Sequence, residues 1–404
     1  MAMSDQAIVY RGSVKNVRLV RPPRGAVHGQ YVFEFTDDYS VFDFGKMPDA
    51  LRGKGSALAA MSACLFEELG RPSSWKKLAR RTDVWDRFGG DVFKRRLLRS
   101  PAGRETLSLG MKTHYEGMID RKGRPRNLEE LGEPTNRILV KAVPVLPPAS
   151  VTVDGRHLWD YNALHPGVPQ YLIPLENVFR FGLPAGSSLL DRIRQNPGYA
   201  AELGLDRMPA EGDWLSRPVL EFSTKLEPAD RYLPLETAFN FCGLEGKQFA
   251  ELLDRTLLVA IFLFALFQDR GLDLWDGKVE FVKTREGILL ADTITPDELR
   301  ITCRGTQISK EPLRQFYKQQ DPEFFGAVKR VKAEGPSAKG IRGRVLKALG
   351  RSPQRLHEDF RRTMEEMYRA LTHRVTGSDL FAGSVDLEEV LERLRQFENT
   401  ARSL

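Results

Sequence analysis

Charged residues crowd two neighbouring runs of this chain. "LWDGKVEF" (274–281) carries Asp276, Lys278 and Glu280 at alternate positions, and "ILLADTITPDELR" (288–300) carries Asp292, Asp297 and Arg300. On a β-strand, alternate side chains share one face. The intervening "TREG" (284–287) predicts a hairpin turn, so Glu280 and Asp292 can face each other across it. Two adjacent carboxylates repel unless a cation lies between them. A hard ion such as Mg²⁺, which takes oxygen ligands and often substrate phosphates, would resolve the repulsion. An exposed hairpin edge with solvated charges is the plainer reading, and apolar Val279, Phe281, Leu289 and Leu290 fit both.

A second candidate is "RFGLPAGSS" (180–188). Small residues such as Gly186 and Ser187 before a helix offer backbone N–H groups and hydroxyls to a phosphate. Arg180 would add a bidentate donor. The competing reading is a tight strand-to-helix turn capped by Ser187 or Ser188. A third is "YRGSVKNV" (10–17), in which Gly12 and Lys15 suggest a nucleotide lid with the lysine on phosphate. A surface lysine explains it equally well. No P-loop, dinucleotide G-x-G-x-x-G or zinc spacing is present. His114 reads as a packed histidine, and His157 has no visible partner.

These residues need elements to hold them. "AIVYRGSVKNVRLV" (7–20) and "GQYVFEFTDDYSVFDFG" (29–45) alternate as strands do. Residues 55–70 place Leu58, Met61, Leu65 and Leu69 at helical spacing, with Gly70 as the stop. Residues 71–108 are rich in Lys, Arg and aromatics. A helical insertion with a solvated basic face is the favoured reading over a nucleic-acid patch. Strand patterns return at 109–119 and 136–147. Residues 148–170 read as a loop insertion. Residues 171–193 give a strand, the small-residue turn and a helix start, and 244–270 give a strong helix. Residues 311–404 read as mostly helical. The expected organisation is α+β, with a β-rich N-terminal lobe over 1–147 and a larger α+β lobe over 148–404.

Bulk properties fit a soluble globular protein: 404 residues, 41% hydrophobic and 28% charged. The net charge of +7 points to anionic partners, and much of it sits in the 71–108 insert. Cys64, Cys242 and Cys303 are too scattered for a metal clip or a disulfide framework, which suits a reducing compartment. The start shows no signal pattern. The most apolar run, 256–267, is too short to span a bilayer and reads as a buried helix. A cytoplasmic protein without a membrane partner is expected.

In order along the chain, these signals resemble the SAICAR synthetase (phosphoribosylaminoimidazole-succinocarboxamide synthase) family. "YRGSVKNV" is similar to its Y-x-G-K-x-K-x-V opening, and "FEFTDDYSVFDFG" to its E-F-T-D-x-x-S-A-F-D segment. "RGKGSALAAMSACLFEELG" resembles its K-G-x-x-N helix, "MKTHY" its P-T-H-F strand and "ILVKAV" its L-V-K-K strand. "IPLENVFRFGLPAGSSL" is similar to P-L-E-V-V-V-R-N-x-x-A-G-S. "LWDGKVEF" and "LLADTITPDELR" resemble V-D-F-K-L-E-F and L-x-D-E-x-S-P-D-x-x-R, and "SKEPLRQF" resembles D-K-D-x-F-R.

The resemblance implies a two-lobed fold with an ATP-grasp- or kinase-like nucleotide cleft, ATP and Mg²⁺ as cofactors, and formation of an amide. The carboxylate of an aminoimidazole ribotide would be activated as an acyl phosphate and joined to the amine of aspartate, as in purine biosynthesis. Phosphoryl transfer is mainly positioning and charge neutralisation. By resemblance, Glu280 and Asp292 hold the metal; Gly12, Lys15 and Lys141 meet the nucleotide. Arg180, Gly186, Ser187 and Arg300 grip the ribotide phosphate, and Ser40, Asp43 and Asp297 line the substrate side. A homo-oligomer would be compatible, and a nucleic-acid partner is not expected.

The chain departs from the family pattern at Ser13, Phe181 and Thr293, in a phosphate turn one residue longer, at "ITC" (301–303), and beside Lys225 in "STKLEPAD" (223–230). Substrate-side positions drift more than ATP-side ones. A paralogue joining a different carboxylate and amine in a specialised pathway is the first alternative. From other classes, a kinase-like phosphotransferase or a non-catalytic nucleic-acid-binding regulator would also use parts of this pattern.

Overall fold

Residues 7–334 and 340–402 are described by a computed structural model. Residues 1–6, 335–339 within the expected helical tail, and 403–404 lie outside them. The opening alternating run forms two strands rather than one. β1 (Ile8–Arg11) and β2 (Lys15–Arg21) fold back on each other through Gly12-Ser13-Val14. The Gly12 N–H donates to the Lys15 carbonyl at 2.9 Å. A Cβ on Gly12 would stand 2.7 Å from that oxygen, so the turn requires glycine. β3 (Gly29–Phe35) pairs with β2, and β4 (Asp38–Ser40) with β5 (Lys46–Ala50). Helix α1 (Lys54–Gly70) buries Leu58, Met61, Leu65 and Leu69 as their spacing predicts. The Asp37 carboxylate accepts the Gly53 and Gly55 N–H groups at its start, placing an anion at the positive end of the helix.

The basic insert consists of four short helices, α2 (Pro72–Ala79), α3 (Thr82–Arg87), α4 (Gly90–Arg99) and α5 (Pro101–Leu109). Its eleven Lys and Arg face four acids within 71–108, a surplus equal to the +7 of the whole chain. Its aromatics point the other way. Trp75, Trp85 and Phe88 are buried, and both indoles donate to backbone carbonyls, of Leu69 and Leu78. Basic residues outside and aromatics inside make the insert an amphipathic cap on the core. Strands β6 (Tyr115–Ile119), β7 (Pro125–Arg126) and β8 (Arg137–Ala142) then complete an antiparallel sheet ordered β1-β2-β3-β8-β6-β7.

Residues 148–170 correct the loop expectation. β9 (Ala149–Val153) and β10 (Arg156–Asp160) form an exposed hairpin turned at Asp154-Gly155, both with positive φ. Asp-Gly suits such two-residue turns. β11 (Tyr171–Leu172), β12 (Leu175–Gly182), α6 (Ser188–Gln195), α7 (Gly198–Glu202), β13 (Trp214–Thr224), β14 (Tyr232–Leu233) and α8 (Leu235–Phe241) follow. Helix α9 (Gly246–Asp269) is the buried apolar helix expected over 256–267. It packs on β12, β13 and β15, and its Phe262 ring lies 4.7 Å from that of Trp75. β15 (Asp273–Thr284) turns into β16 (Gly287–Ala291), and β17 (Leu299–Cys303) and β18 (Thr306–Gln307) follow.

The second sheet runs β14-β13-β12-β15-β17-β18, with β11 and β16 also on β15. Leu290 of β16 exchanges backbone hydrogen bonds with Lys112 and His114, which stitches this hairpin to the N-terminal half. Helices α10 (Glu311–Gln320), α11 (Pro322–Ala333), α12 (Gly340–Leu349), α13 (Glu358–Thr376) and α14 (Leu387–Arg402) form the tail, and α13 packs along α1. Among the described residues, no helix is long and apolar enough to cross a membrane.

Across three strands of the second sheet, Arg180, Asp276 and Arg300 stand side by side. Arg180 donates to Asp276 at 2.7 Å and to buried Glu221, which also accepts from Arg192 and Tyr199. Replacing Arg180 by Met leaves two buried acids short of a cation and lowers unfolding free energy by about 3 kcal/mol. Trp75→Ala, which empties the space between insert and α9, costs about 3–5 kcal/mol. Urea unfolding of both variants checks this. A loss of under about 1 kcal/mol at Trp75 would make the insert peripheral to the core.

Candidate active site

A cleft of about 610 Å³ runs between the two sheets. One end is apolar, with Val17, Tyr31, Val143, Leu172 and Val282. The other carries Lys15, Lys225, Glu280, Asp292 and Asp297. A slot apolar at one end and charged at the other suits a nucleotide, base inward and phosphates toward the charges. A larger and more open hollow of about 1070 Å³ lies elsewhere, around Asp120, Arg124, Arg126 and Arg137. Its charges are balanced, Arg124 and Arg126 pairing with Asp120, and it contains none of the candidate residues. The candidate residues that line a cavity line the smaller cleft.

Glu280 reaches the cleft by strand alternation. Asp276, Lys278 and Glu280 share one face of β15, and each meets a partner there: Arg180, Glu176 and Lys225. Asp292 gets there by a different route. Glu280 is registered against Ala291, so an extended Asp292 would point to the opposite face. Its φ of 60° is left-handed and breaks the alternation. Asp tolerates that conformation better than most residues. His114 donates from Nε2 to the Asp292 carbonyl at 3.0 Å, holding this turn. The histidine itself is buried between the Phe33 and Phe66 rings, as a packed residue.

The electrostatics separate the two carboxylates. Burial and then the charge of Asp292 push Glu280 up, to about 7. Burial opposes ionisation of Asp292 as well, but Lys15 and then Lys225 outweigh it and hold that carboxyl well below its usual range. Lys15 bonds Asp292 directly and lies 4.2 Å from the Phe33 ring. Lys225 bonds Glu280 and stands 3.6 Å from Glu176. Glu280 and Asp292 offer carboxylate oxygens of the kind Mg²⁺ takes together with phosphate ligands, whereas among the described residues no group of three or more His, Cys, Asp or Glu forms a metal site by itself.

The cleft gathers Gly12, Lys15, Lys141, Glu280, Asp292 and Asp297. Lys141 lies on β8 and pairs with Glu286 at 3.0 Å. Arg180, Gly186, Ser187, Arg300, Ser40 and Asp43 do not line it. Arg180 departs from the expected phosphate fork: its donors go to Glu221, Asp276 and Tyr232, because a buried guanidinium must find acids inside the fold. The Ser187 hydroxyl is buried without a partner. One nitrogen of Arg300 is buried too and is ion-paired with Asp276 at 3.3 Å, without hydrogen-bond geometry. Asp43, at φ 59°, pairs with Lys332 and is largely exposed, whereas Ser40 is buried in β4.

Sequence reasoning assigned no role to Glu176, Lys54 or Tyr368. Glu176 alternates with Arg180 along β12, a signal that was readable. Lys54 and Tyr368 both bond Asp297 from distant helices, and no local pattern could show that. The departures also sort themselves. Ser13 and Thr293 line the cleft. Phe181 points away from it, packing on Phe88 and Phe264 in the core.

Residues 169–331 match the SAICAR synthetase family. A protein of Archaeoglobus fulgidus, provisionally named a phosphoribosylaminoimidazole-succinocarboxamide synthase, is 30% identical over 387 residues, covering 95% of this chain and 99% of its own. The phosphoribosylaminoimidazole-succinocarboxamide synthase of Thermoplasma acidophilum is 26% identical over 360 residues, covering 86% and 92%. The Saccharomyces cerevisiae SAICAR-synthase, solved with SAICAR, superposes with a TM-score of 0.51 at 18% identity, over 92% of this chain and 95% of that one. A further SAICAR synthase structure gives a TM-score of 0.54 at 18% identity over the same shares. These structures speak to the fold, a two-lobed α+β architecture. The near-full-length relationship to the archaeal protein settles membership: the chain belongs to the SAICAR synthetase family of ATP-dependent carboxylate–amine ligases.

Proposed function

We propose that this protein activates the carboxylate of a phosphorylated aminoimidazole ribotide with ATP and condenses it with the amine of aspartate, as in purine biosynthesis. The observation that carries the reading is the charged end of the cleft, where Glu280 and Asp292 stand together with Lys15 and Lys225. A carboxylate is a poor acyl donor until phosphorylated, and its phosphorylation requires charge neutralisation and alignment rather than a protein nucleophile.

In this reading Gly12 and Lys15 of the N-terminal hairpin cover the ATP phosphates, and Lys141 lies beside the nucleotide. Glu280 and Asp292 are the residues that would hold Mg²⁺, which neutralises phosphate charge when bound. Lys15 and Lys225, which now pair with these two carboxylates, would be available to phosphate oxygens once the carboxylates were otherwise engaged. The phosphate of the ribotide is assigned to Gly186, Ser187 and Arg300. The buried Ser187 hydroxyl, which lacks a hydrogen-bond partner, supports that assignment because a buried donor without a partner is costly. Arg180 acts behind them, fixing Asp276 beside Arg300. Ser40, Asp43 and Asp297 are placed on the substrate side.

A second reading keeps the chemistry and changes the substrates. It rests on Thr293, a neutral cleft residue where the family carries an acid. A different carboxylate or amine would then be joined.

Two measurements test these readings. ADP release should require both a carboxylate and an amine, with the amide product identified by mass. Release with an alcohol acceptor and no amine would identify a phosphotransferase instead. Asp292→Asn should lower ATP turnover by at least about 100-fold, the scale of losing an electrostatic contact to a reacting phosphate, with an unchanged circular dichroism spectrum. Normal turnover in that variant would overturn the metal assignment.

A further inference from the structure

Asp297 sits in an irregular segment between β16 and β17, where no strand fixes its direction. Its side chain is nonetheless only 3% exposed. Each of its oxygens has one donor from the protein. Oδ2 accepts from Lys54 Nζ at 2.8 Å, and Oδ1 accepts from the Tyr368 hydroxyl at 2.7 Å. Lys54 begins α1 and Tyr368 lies in the middle of α13, and both are fully buried. The Lys54 ammonium also stands 5.1 Å from the Tyr368 ring centroid, so the three groups close on one another. Three elements far apart in sequence thus meet on one carboxylate at the wall of the cleft.

From this junction we infer that Tyr368 is a positioning residue, which locks the Asp297 carboxylate in the direction that substrate meets. The inference rests on the reading of Asp297 as a substrate-side residue given above. A carboxylate has about four acceptor positions, and two are used here, so Asp297 can still accept from a substrate N–H or O–H. Lys54 alone would leave the carboxylate free to swing about a single point charge. A second donor on the other oxygen fixes its plane. Burial and then the charge of Asp297 hold the Tyr368 phenol well above its ordinary value, so its proton stays in place to be donated. Burial opposes ionisation of Asp297, but Lys54 and then Lys310 bring its carboxyl down to about 2, so it stays an acceptor.

Tyr368→Phe removes one hydroxyl and keeps the ring. Measured with the aminoimidazole ribotide carboxylate, aspartate and ATP, this variant should lose about 10-fold or more in kcat/KM for the ribotide, the scale of one hydrogen bond to a charged group. Its KM for ATP should stay within about twofold, since uniform loss of nucleotide binding is not involved. A lowered melting temperature with unchanged kinetics per folded molecule would overturn the inference, leaving Tyr368 a structural clip. Asp297→Asn separates this outcome from failure of the underlying reading. If Asp297→Asn leaves ribotide kinetics unchanged, the substrate-side assignment of Asp297 is wrong. If it impairs them and Tyr368→Phe does not, the positioning role is wrong. The double variant is the last arm: Tyr368→Phe added to Asp297→Asn should cost little further, and full additivity would show that Tyr368 does not act through Asp297.

Discussion

A carboxylate removed from water must find a cation or give up its charge. The cleft follows from that constraint. Asp292, Glu280, Asp297 and Glu176 are each met by a lysine, respectively Lys15, Lys225, Lys54 and Lys278. The lysines come from the β1–β2 hairpin, a loop after β13, the start of α1 and β15 itself. Each pairing therefore ties one more element to the cleft wall. Desolvation makes such pairs poor sources of net stability, but breaking one is expensive, so they fix geometry more than they raise stability. In an ATP-dependent enzyme this is a useful arrangement: a charged ligand that enters such a set of pairs can exchange partners instead of exposing bare charges.

Much of this was legible in the sequence, for definable reasons. Alternation along β15 placed Asp276, Lys278 and Glu280 on one face, and period-2 patterns survive any tertiary context. The helix over 55–70 was readable from Leu58, Met61, Leu65 and Leu69. The pairing of Glu280 with Asp292 was also expected, though for an incomplete reason. Simple register would have turned Asp292 away, and its left-handed backbone, held by His114, brings it back. A single φ angle of one non-glycine residue leaves no trace in a hydropathy pattern.

Other features were hidden because their causes are nonlocal. The hairpin at 149–160 carries an Asp-Gly turn, but its short, exposed strands between Pro-rich flanks read as loop. Arg180 looked like a free phosphate donor because its acids, Glu221 and Asp276, come from strands 41 and 96 residues later. The basic character of 71–108 drew attention to its surface, while its tryptophans bind it to the interior. The change from the family pattern at Phe181 looked like a change in the site, yet it stands with Phe179 on the core-facing side of β12.

The contact between α1 and α13 has a bearing on how the chain is made. Leu58, Met61 and Leu65 are translated early, but part of what covers their helix comes from residues near position 370, and Trp75 waits for Phe262. The first hundred and fifty residues thus leave the ribosome with their main hydrophobic face unfinished. Long-range closure of this kind slows folding and prolongs exposure of apolar surface. The eleven cations of the insert emerge in the same interval. Four of them, Arg71, Lys77, Arg81 and Arg96, pair with Glu68, Asp269 and Asp254. Asp254 and Asp269 belong to α9, so part of the insert's charge also stays unmatched until that helix is made.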